Sequence, residues 1–112
     1  MRELDDRNTQ DSELKAKICK HCSNPTTVVI TRTAIQDLGL IPLTKDAVLE
    51  TVREHIELKR RVFTDIMDNR DAAYIIPECD VEGAVIYVKV KFVEGRNGEL
   101  MVLISAHPPR RW

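Results

Sequence analysis

The chain has 112 residues, of which 43% are hydrophobic and 31% charged, and its formal net charge is −1. This size and composition predict one globular domain, and the charge argues against the strongly basic class of nucleic-acid-binding proteins. No apolar run approaches the ~18 residues that a membrane span needs. The N-terminus "MRELDDRNTQDSELK" is polar and acidic, unlike a secretory signal. We therefore expect a cytoplasmic protein with no membrane partner.

The N-terminal third predicts a frayed segment, a helix and a short strand. Residues 1–11 lack hydrophobic periodicity, so we expect this segment to be disordered or frayed. Three apolar residues spaced four apart then predict a helix over about 12–22; they are Leu14, Ile18 and Cys22. "TTVVI" at 26–30 is β-branched and predicts a strand, because stiff branched side chains suit a pleated surface.

Two further helices are predicted before the strands begin. "TRTAIQDLGL" at 31–40 predicts a short helix stopped by Gly39 in a left-handed cap. The second helix starts at Thr44, whose hydroxyl can accept a hydrogen bond from a free backbone N–H, and ends near Arg61. Its apolar stripe at four-residue spacing consists of Val48, Val52 and Ile56.

The pattern of apolar and β-branched residues in the remaining chain predicts strands, and the order of all the predicted elements indicates an α+β fold. The predicted strands cover 61–67, 73–78, 83–93 and 99–106. Helices followed by a run of strands favour a small antiparallel sheet with helices packed on one face, in a single domain over 1–112.

The register of the last hairpin decides which side chains share a face. A three-residue loop, Arg96-Asn97-Gly98, would make paired residue numbers sum to 194. Apolar residues then pair with apolar residues on a core face, whereas a one-residue slip would mix the two faces. The predicted core pairs are Phe92 with Val102, Val90 with Ile104 and Val88 with Ala106. On the opposite face, the register pairs Lys91 with Leu103, Lys89 with Ser105 and Tyr87 with His107.

This second face carries groups that could cleave RNA. Histidine titrates near neutral pH and can move protons, and tyrosine can donate a proton or stack on a base. Lysine and arginine can stabilise charge on phosphoryl oxygens. The candidate catalytic residues are Tyr87 and His107, and the candidate phosphate-binding residues are Lys89, Lys91, Arg110 and Arg111. Alternatively, these are ordinary outward residues of a half-exposed sheet.

"TRTAIQDLGL", a long helix and "GAVIYVKVKFVEGRNGELMVLISAHPPRRW" together resemble the MqsR-type toxins of bacterial toxin–antitoxin pairs, and more broadly the RelE-related ribonuclease superfamily. The similarity covers roughly residues 28 to 112. It implies a metal-independent endoribonuclease that cuts mRNA and is silenced by a cognate antitoxin. The family's tyrosine after a Gly-x-Val stretch matches Tyr87, and its basic residue at the end of the last strand falls near His107.

The family's lysine after the long helix has no counterpart in "VFTDIM", but Arg60 and Arg61 lie just before it and are further candidates for phosphate binding. Cations at a helix C-terminus also pair favourably with the helix dipole, which is a purely structural alternative. The second functional hypothesis is a non-catalytic module that binds protein or RNA, with or without a stabilising zinc ion at Cys19 and Cys22.

Three cysteines suggest a possible zinc site. Cys19 and Cys22 have C-x-x-C spacing, and Cys79 is the only other cysteine. A structural zinc site needs four ligands, so a histidine or a second copy of the chain would have to complete it. The alternative is reduced, partly buried thiols and no cofactor.

Overall fold

The computed structural model describes residues 1–67, 69 and 71–108. This part of the chain forms three α-helices and six strands, which confirms the predicted α+β class. The elements in chain order are β1 (Arg2–Glu3), α1 (Thr9–Cys22), β2 (Val28–Ile30), α2 (Arg32–Leu40), α3 (Lys45–Glu57), β3 (Phe63–Ile66), β4 (Ala72–Val81), β5 (Ala84–Gly95) and β6 (Gly98–His107). No helix among the described residues is both long and apolar enough to cross a bilayer.

The strands form one open sheet in the order β1-β3-β4-β5-β6-β2. Strands β3 to β6 follow one another as an antiparallel meander, β1 is antiparallel to β3, and β2 is parallel to β6. Helix α1 packs on α3, α3 packs on β4, and α2 packs on β6. The core lies between these helices and one sheet face. The opposite face, called here the open face, is not covered by these helices.

Period-2 alternation separates the two faces of the sheet. On β5, Ile86, Val88 and Val90 are fully buried against the helices. The alternate residues, Tyr87 and Lys89, lie on the opposite face and are half-buried. A row of paired residues on this open face crosses four strands; it consists of Phe63, Ile75, Lys89 and Ser105.

Helix boundaries agree with the sequence in part. Thr44 caps α3 by accepting a hydrogen bond from the N–H of Ala47 at 3.2 Å, as predicted. The predicted cap at Gly39 is wrong, because α2 runs through this glycine to Leu40. The helix α3 ends at Glu57 rather than near Arg61.

The segment 1–11, which the sequence predicts to be frayed, contains β1 and the first turn of α1. Leu4 is 3% exposed and its N–H donates to the carbonyl of Val62 at 2.8 Å. Asp11 is buried and accepts two hydrogen bonds from the guanidinium of Arg2, at 2.6 and 2.9 Å. Arg2 and the backbone N–H of Asp5, which also donates to this carboxylate, lower the pKa of Asp11 to about 2.

The β5–β6 hairpin corrects part of the predicted register. Gly95 pairs with Gly98, so the loop has two residues, Arg96 and Asn97, instead of three. An irregularity between the Lys89–Ser105 and Val90–Leu103 pairs inserts one extra residue, Ile104, into β6. The core-facing residues of β6 are therefore Met101 and Leu103 near the turn, where Val102 and Ile104 were predicted, and Ala106 beyond the bulge. Past the bulge the predicted pairs hold: Val88 with Ala106, Lys89 with Ser105 and Tyr87 with His107.

A second bulge interrupts β4 on the other side of β5. Ile76 pairs with Val88 and Cys79 with Ile86, so Pro77 and Glu78 together oppose the single residue Tyr87. Proline has no N–H to donate to the ladder, which explains why pairing breaks here. Bulges are common beside active sites because they redirect a side chain. Two of them flank the segment of β5 that carries the candidate catalytic tyrosine.

Candidate functional site

Tyr87 and His107 lie side by side on the open face, one on β5 and the other at the end of β6. Their ring centroids are 6.3 Å apart and the rings meet edge to face at 80°. Both side chains are half-buried, so each keeps an exposed edge. This geometry follows from the cross-strand pairing that the sequence predicts.

Both rings line a cleft of about 360 Å³, called here the sheet cleft. Its other walls come from three strands and the N-terminus; they are Met1, Ile75, Pro77, Val88, Lys89 and Ser105. The cleft therefore combines apolar side chains with a phenol, an imidazole, an ammonium group and a hydroxyl. Such a combination of a concave surface with a few convergent polar groups is typical of ligand sites.

The hydrogen bond of His107 indicates which ring nitrogen carries the proton. Nδ1 lies 2.8 Å from the carbonyl oxygen of Pro108. A carbonyl oxygen can only accept, so Nδ1 must be the donor, and in the neutral ring Nε2 then holds the free lone pair. The backbone thereby leaves Nε2 of His107 available as a base.

The two predicted lysines of β5 differ in their surroundings. The Nζ of Lys89 reaches across β4 and donates to Asp65 Oδ2 on β3 at 3.2 Å. Lys91 lies two residues further along the same face, opposite Val102. Lys89 alone of this pair lines the sheet cleft.

Two of the predicted arginines, Arg60 and Arg61, lie outside the sheet cleft. Arg60 and Arg61 line a neighbouring cleft of about 310 Å³ at the end of α3, called here the α3 cleft. Pro77 lines both clefts, so they adjoin across the β4 bulge. Arg110 and Arg111 lie outside the described residues.

The cysteines do not come together as a metal site in the described part of the chain. No group of three or more His, Cys, Asp or Glu residues there is arranged to hold a metal ion. Burial raises the pKa of the thiols of Cys22 and Cys79 to about 12, which keeps them protonated at neutral pH. All three cysteines are free thiols in this structure, with Cys22 and Cys79 buried and Cys19 partly buried.

The sequence gives no role to two histidines that the structure uses. His21 is buried and joins α1 to β6 and to a 3-10 turn over Pro25–Thr27. Its ring lies 2.7 Å from Thr27 Oγ1 and 3.1 Å from Glu99 Oε1. His55 is 5% exposed and lies 2.7 Å from the carbonyl oxygen of Arg61. In the sequence, His55 stands next to Ile56 of the apolar stripe of the long helix, which indicates a position near the core. This position does not tell a histidine that hydrogen-bonds the backbone from one that only packs against its neighbours.

Comparisons of the chain with protein-family models, with curated proteins and with solved structures gave no match. The resemblance to the MqsR-type and RelE-related toxins therefore stays a prediction.

Proposed function

We propose that the protein is an endoribonuclease that cleaves RNA in the sheet cleft without a metal ion. The observation that carries the proposal is the pairing of Tyr87 with His107 in a cleft that also holds Lys89. A cognate antitoxin that covers this cleft and silences the enzyme is part of the same proposal, and it follows from the resemblance to the toxin family.

In the proposed reaction, Nε2 of His107 takes the proton of a ribose 2′-hydroxyl. The 2′-oxygen then forms a bond to the adjacent phosphorus while the bond from phosphorus to the 5′-oxygen of the next nucleotide breaks. Tyr87 gives its phenolic proton to that leaving oxygen. Lys89 stabilises the negative charge on the phosphoryl oxygens. The products are a 2′,3′-cyclic phosphate and a 5′-hydroxyl end.

The variants His107→Ala and Tyr87→Phe test the two proton-transfer roles. Each should lower the rate of RNA cleavage by about 10²–10⁴-fold, the usual contribution of a general acid or base. Tyr74→Phe is the matched control, because Tyr74 is the other tyrosine and is buried on the helix-covered face. Cleavage at the wild-type rate by His107→Ala would contradict the proposal.

A second candidate function is a non-catalytic module that binds RNA or protein through the open face. The observation that favours it is the ion pair between Lys89 and Asp65, which partly neutralises the cation of the sheet cleft. A binding module would retain nucleic acid or a protein partner while leaving RNA intact. RNA binding with no cleavage products would select this function over the first.

A further inference from the structure

Among the described residues, the last part of β6 has a neighbouring strand on one side only. β2 pairs with β6 from Met101 to Leu103, whereas β6 continues to His107. The same stretch contains the bulge at Ile104, and a bulged residue is left out of the regular ladder of hydrogen bonds. Ala106 is fully buried, so its N–H needs a partner within the protein.

The helix α2 and its N-cap supply hydrogen bonds to this stretch. The hydroxyl of Thr31 donates to the carbonyl of Ile104 at 2.7 Å, and the N–H of Ala106 donates to Oδ2 of Asp37 at 3.1 Å. The N–H of Thr31 adds a bond to the carbonyl of Leu103 at 3.1 Å. Three contacts therefore hold the bulged stretch of β6 against α2.

The position of Asp37 is not explained by the helix that contains it. Asp37 lies in the last turn of α2, where the negative end of the helix dipole disfavours a carboxylate, and aspartate is also a poor helix former. Within the described residues it makes no ion pair that would compensate. The bond from the N–H of Ala106 is the contact that accounts for a carboxylate here.

The bulge decides which face of the sheet His107 occupies. Leu103 faces the core, so without the extra residue His107, four positions further on, would face the core as well. With the extra residue, the imidazole lies on the open face beside Tyr87. The shape of the bulge therefore sets the geometry of the pair.

We propose that Thr31 and Asp37 are positioning residues for His107, which hold the bulged end of β6 in the shape that brings the imidazole beside Tyr87. This inference rests on the proposed function and adds the residues that set the geometry of its site. The described residues that line the sheet cleft include neither Thr31 nor Asp37, so both act through the backbone of β6. A displacement of about 1 Å at a reacting group can lower a rate by about 10²-fold.

The variant Asp37→Ala tests the bond to Ala106. We expect kcat for RNA cleavage to fall by about 10–100-fold with little change in KM, because Asp37 lies outside the sheet cleft. In NMR spectra, the nuclear Overhauser contact between the rings of Tyr87 and His107 should weaken, and the amide of Ala106 should exchange faster with solvent. Asp37→Asn keeps an oxygen that can accept the same bond, so all three readouts should stay close to wild type.

Two threonine variants separate positioning from stability. Thr31→Val and Thr44→Val each remove the side-chain cap of a helix, with cap bonds of 3.1 and 3.2 Å, so both should lower the melting temperature. Of the two, only Thr31 also bonds to β6, so only Thr31→Val should weaken the ring contact and lower kcat. An equal fall in kcat in both variants, measured below both melting temperatures, overturns the positioning role. If Asp37→Ala does not fold, this threonine pair decides the question.

The positioning role and the nuclease fail in different ways. The ring contact is measured in the free protein, so it tests positioning whether or not RNA is cleaved. A wild-type ring contact in both Asp37→Ala and Thr31→Val removes the positioning role and leaves the nuclease standing. A weakened contact in these variants of a protein that leaves RNA intact removes the nuclease and keeps the two residues that place His107. Full-rate cleavage by a variant that has lost the ring contact overturns both.

Discussion

The ammonium group of Lys89 is shared between the sheet cleft and the carboxylate of Asp65, 3.2 Å away. A phosphate entering the cleft would compete with this carboxylate for the lysine and would also be repelled by it. The pair is partly exposed, with 29% and 36% of the two side chains accessible, so its effect on stability is small, about 0–1 kcal/mol. The larger effect of the ion pair is to reduce the positive charge that Lys89 presents to a ligand in the sheet cleft.

Asp65→Asn should strengthen RNA binding several-fold, because it frees Lys89 and removes a repulsive charge. Affinity for a mixed-sequence RNA decanucleotide with 2′-O-methyl riboses, which resists attack by a 2′-hydroxyl, is measured at low and at physiological salt to check this. Glu94→Gln is the matched control, since it removes one negative charge from an exposed position of β5 outside the sheet cleft. Equal gains from both variants would mean that only net charge matters and that Lys89 has no special place in binding.

At this residue scale, the sequence predicts which side chains share a face but not what each one contacts. Tyr87 and His107 meet because strand alternation and pairing bring them together, and both are visible in the sequence. The ion-pair partner of Lys89 is not visible in the sequence, because Asp65 belongs to a strand on the far side of β4. Long-range contacts of this kind depend on the order of strands in the sheet.

Among the secondary-structure elements, the bulge at Ile104 explains why the predicted register of the β5–β6 hairpin is wrong near the turn and correct beyond the bulge. The stretch "LMVLISA" is nearly all apolar, so alternation cannot show where one residue is skipped. The core-facing positions step from Leu103 to Ala106, three residues instead of two. The loop is one residue shorter than predicted and the bulge adds one residue to β6. The two changes cancel, so Tyr87 still pairs with His107 as predicted. The bulge at Pro77 has a clearer cause in the sequence, because proline breaks the ladder wherever it falls in a strand.

The end of α3 offers a prediction on pH. Burial lowers the pKa of His55, so the folded protein holds this ring neutral in conditions where the unfolded chain would bind a proton. Stability from His55 is therefore present above the unfolded pKa of about 6.5 and is lost as the pH falls through that value towards the lower folded pKa.

Chemical unfolding of wild type and His55→Gln at several pH values measures this. Glutamine stays neutral, so the wild type should lose more stability than the variant as the pH is lowered from 7 to 5. The ring of His21 and that of His107 are present in both proteins and cancel in the comparison. A stability difference that does not change with pH would contradict the neutral, buried state of His55.

At the scale of the whole molecule, the N-terminal segment is part of the sheet rather than an appendage. It adds β1 at the edge beside β3, places Leu4 in the core and brings Met1 to the sheet cleft. The sequence of residues 1–11 lacks periodicity because a two-residue strand and a single buried leucine are too short to generate one. The helices and the meander are long enough to show their periods, and this is why the α+β class could be predicted.

Leu4→Ala should destabilise the protein by about 2–5 kcal/mol, the range for removing a buried leucine side chain. Leu40→Ala is the matched control, because Leu40 is 83% exposed and its loss should change stability by less than about 0.5 kcal/mol. Thermal and denaturant unfolding of both variants supply the comparison. A Leu4→Ala variant as stable as the control would show that the segment is frayed, as its sequence alone predicts.

The proposed cleavage of RNA by Tyr87 and His107 begins with attack of the ribose 2′-hydroxyl, and this chemistry determines which ends the products carry. The most direct measurement is the chemistry of the ends produced when purified protein acts on a transcribed mRNA in the presence of EDTA. We expect 5′-hydroxyl ends and 2′,3′-cyclic phosphate ends, and no cleavage of the same sequence with 2′-O-methyl riboses. Intact RNA, or 5′-phosphate ends with 3′-hydroxyl ends, would show that Tyr87 and His107 do not cleave RNA by this reaction.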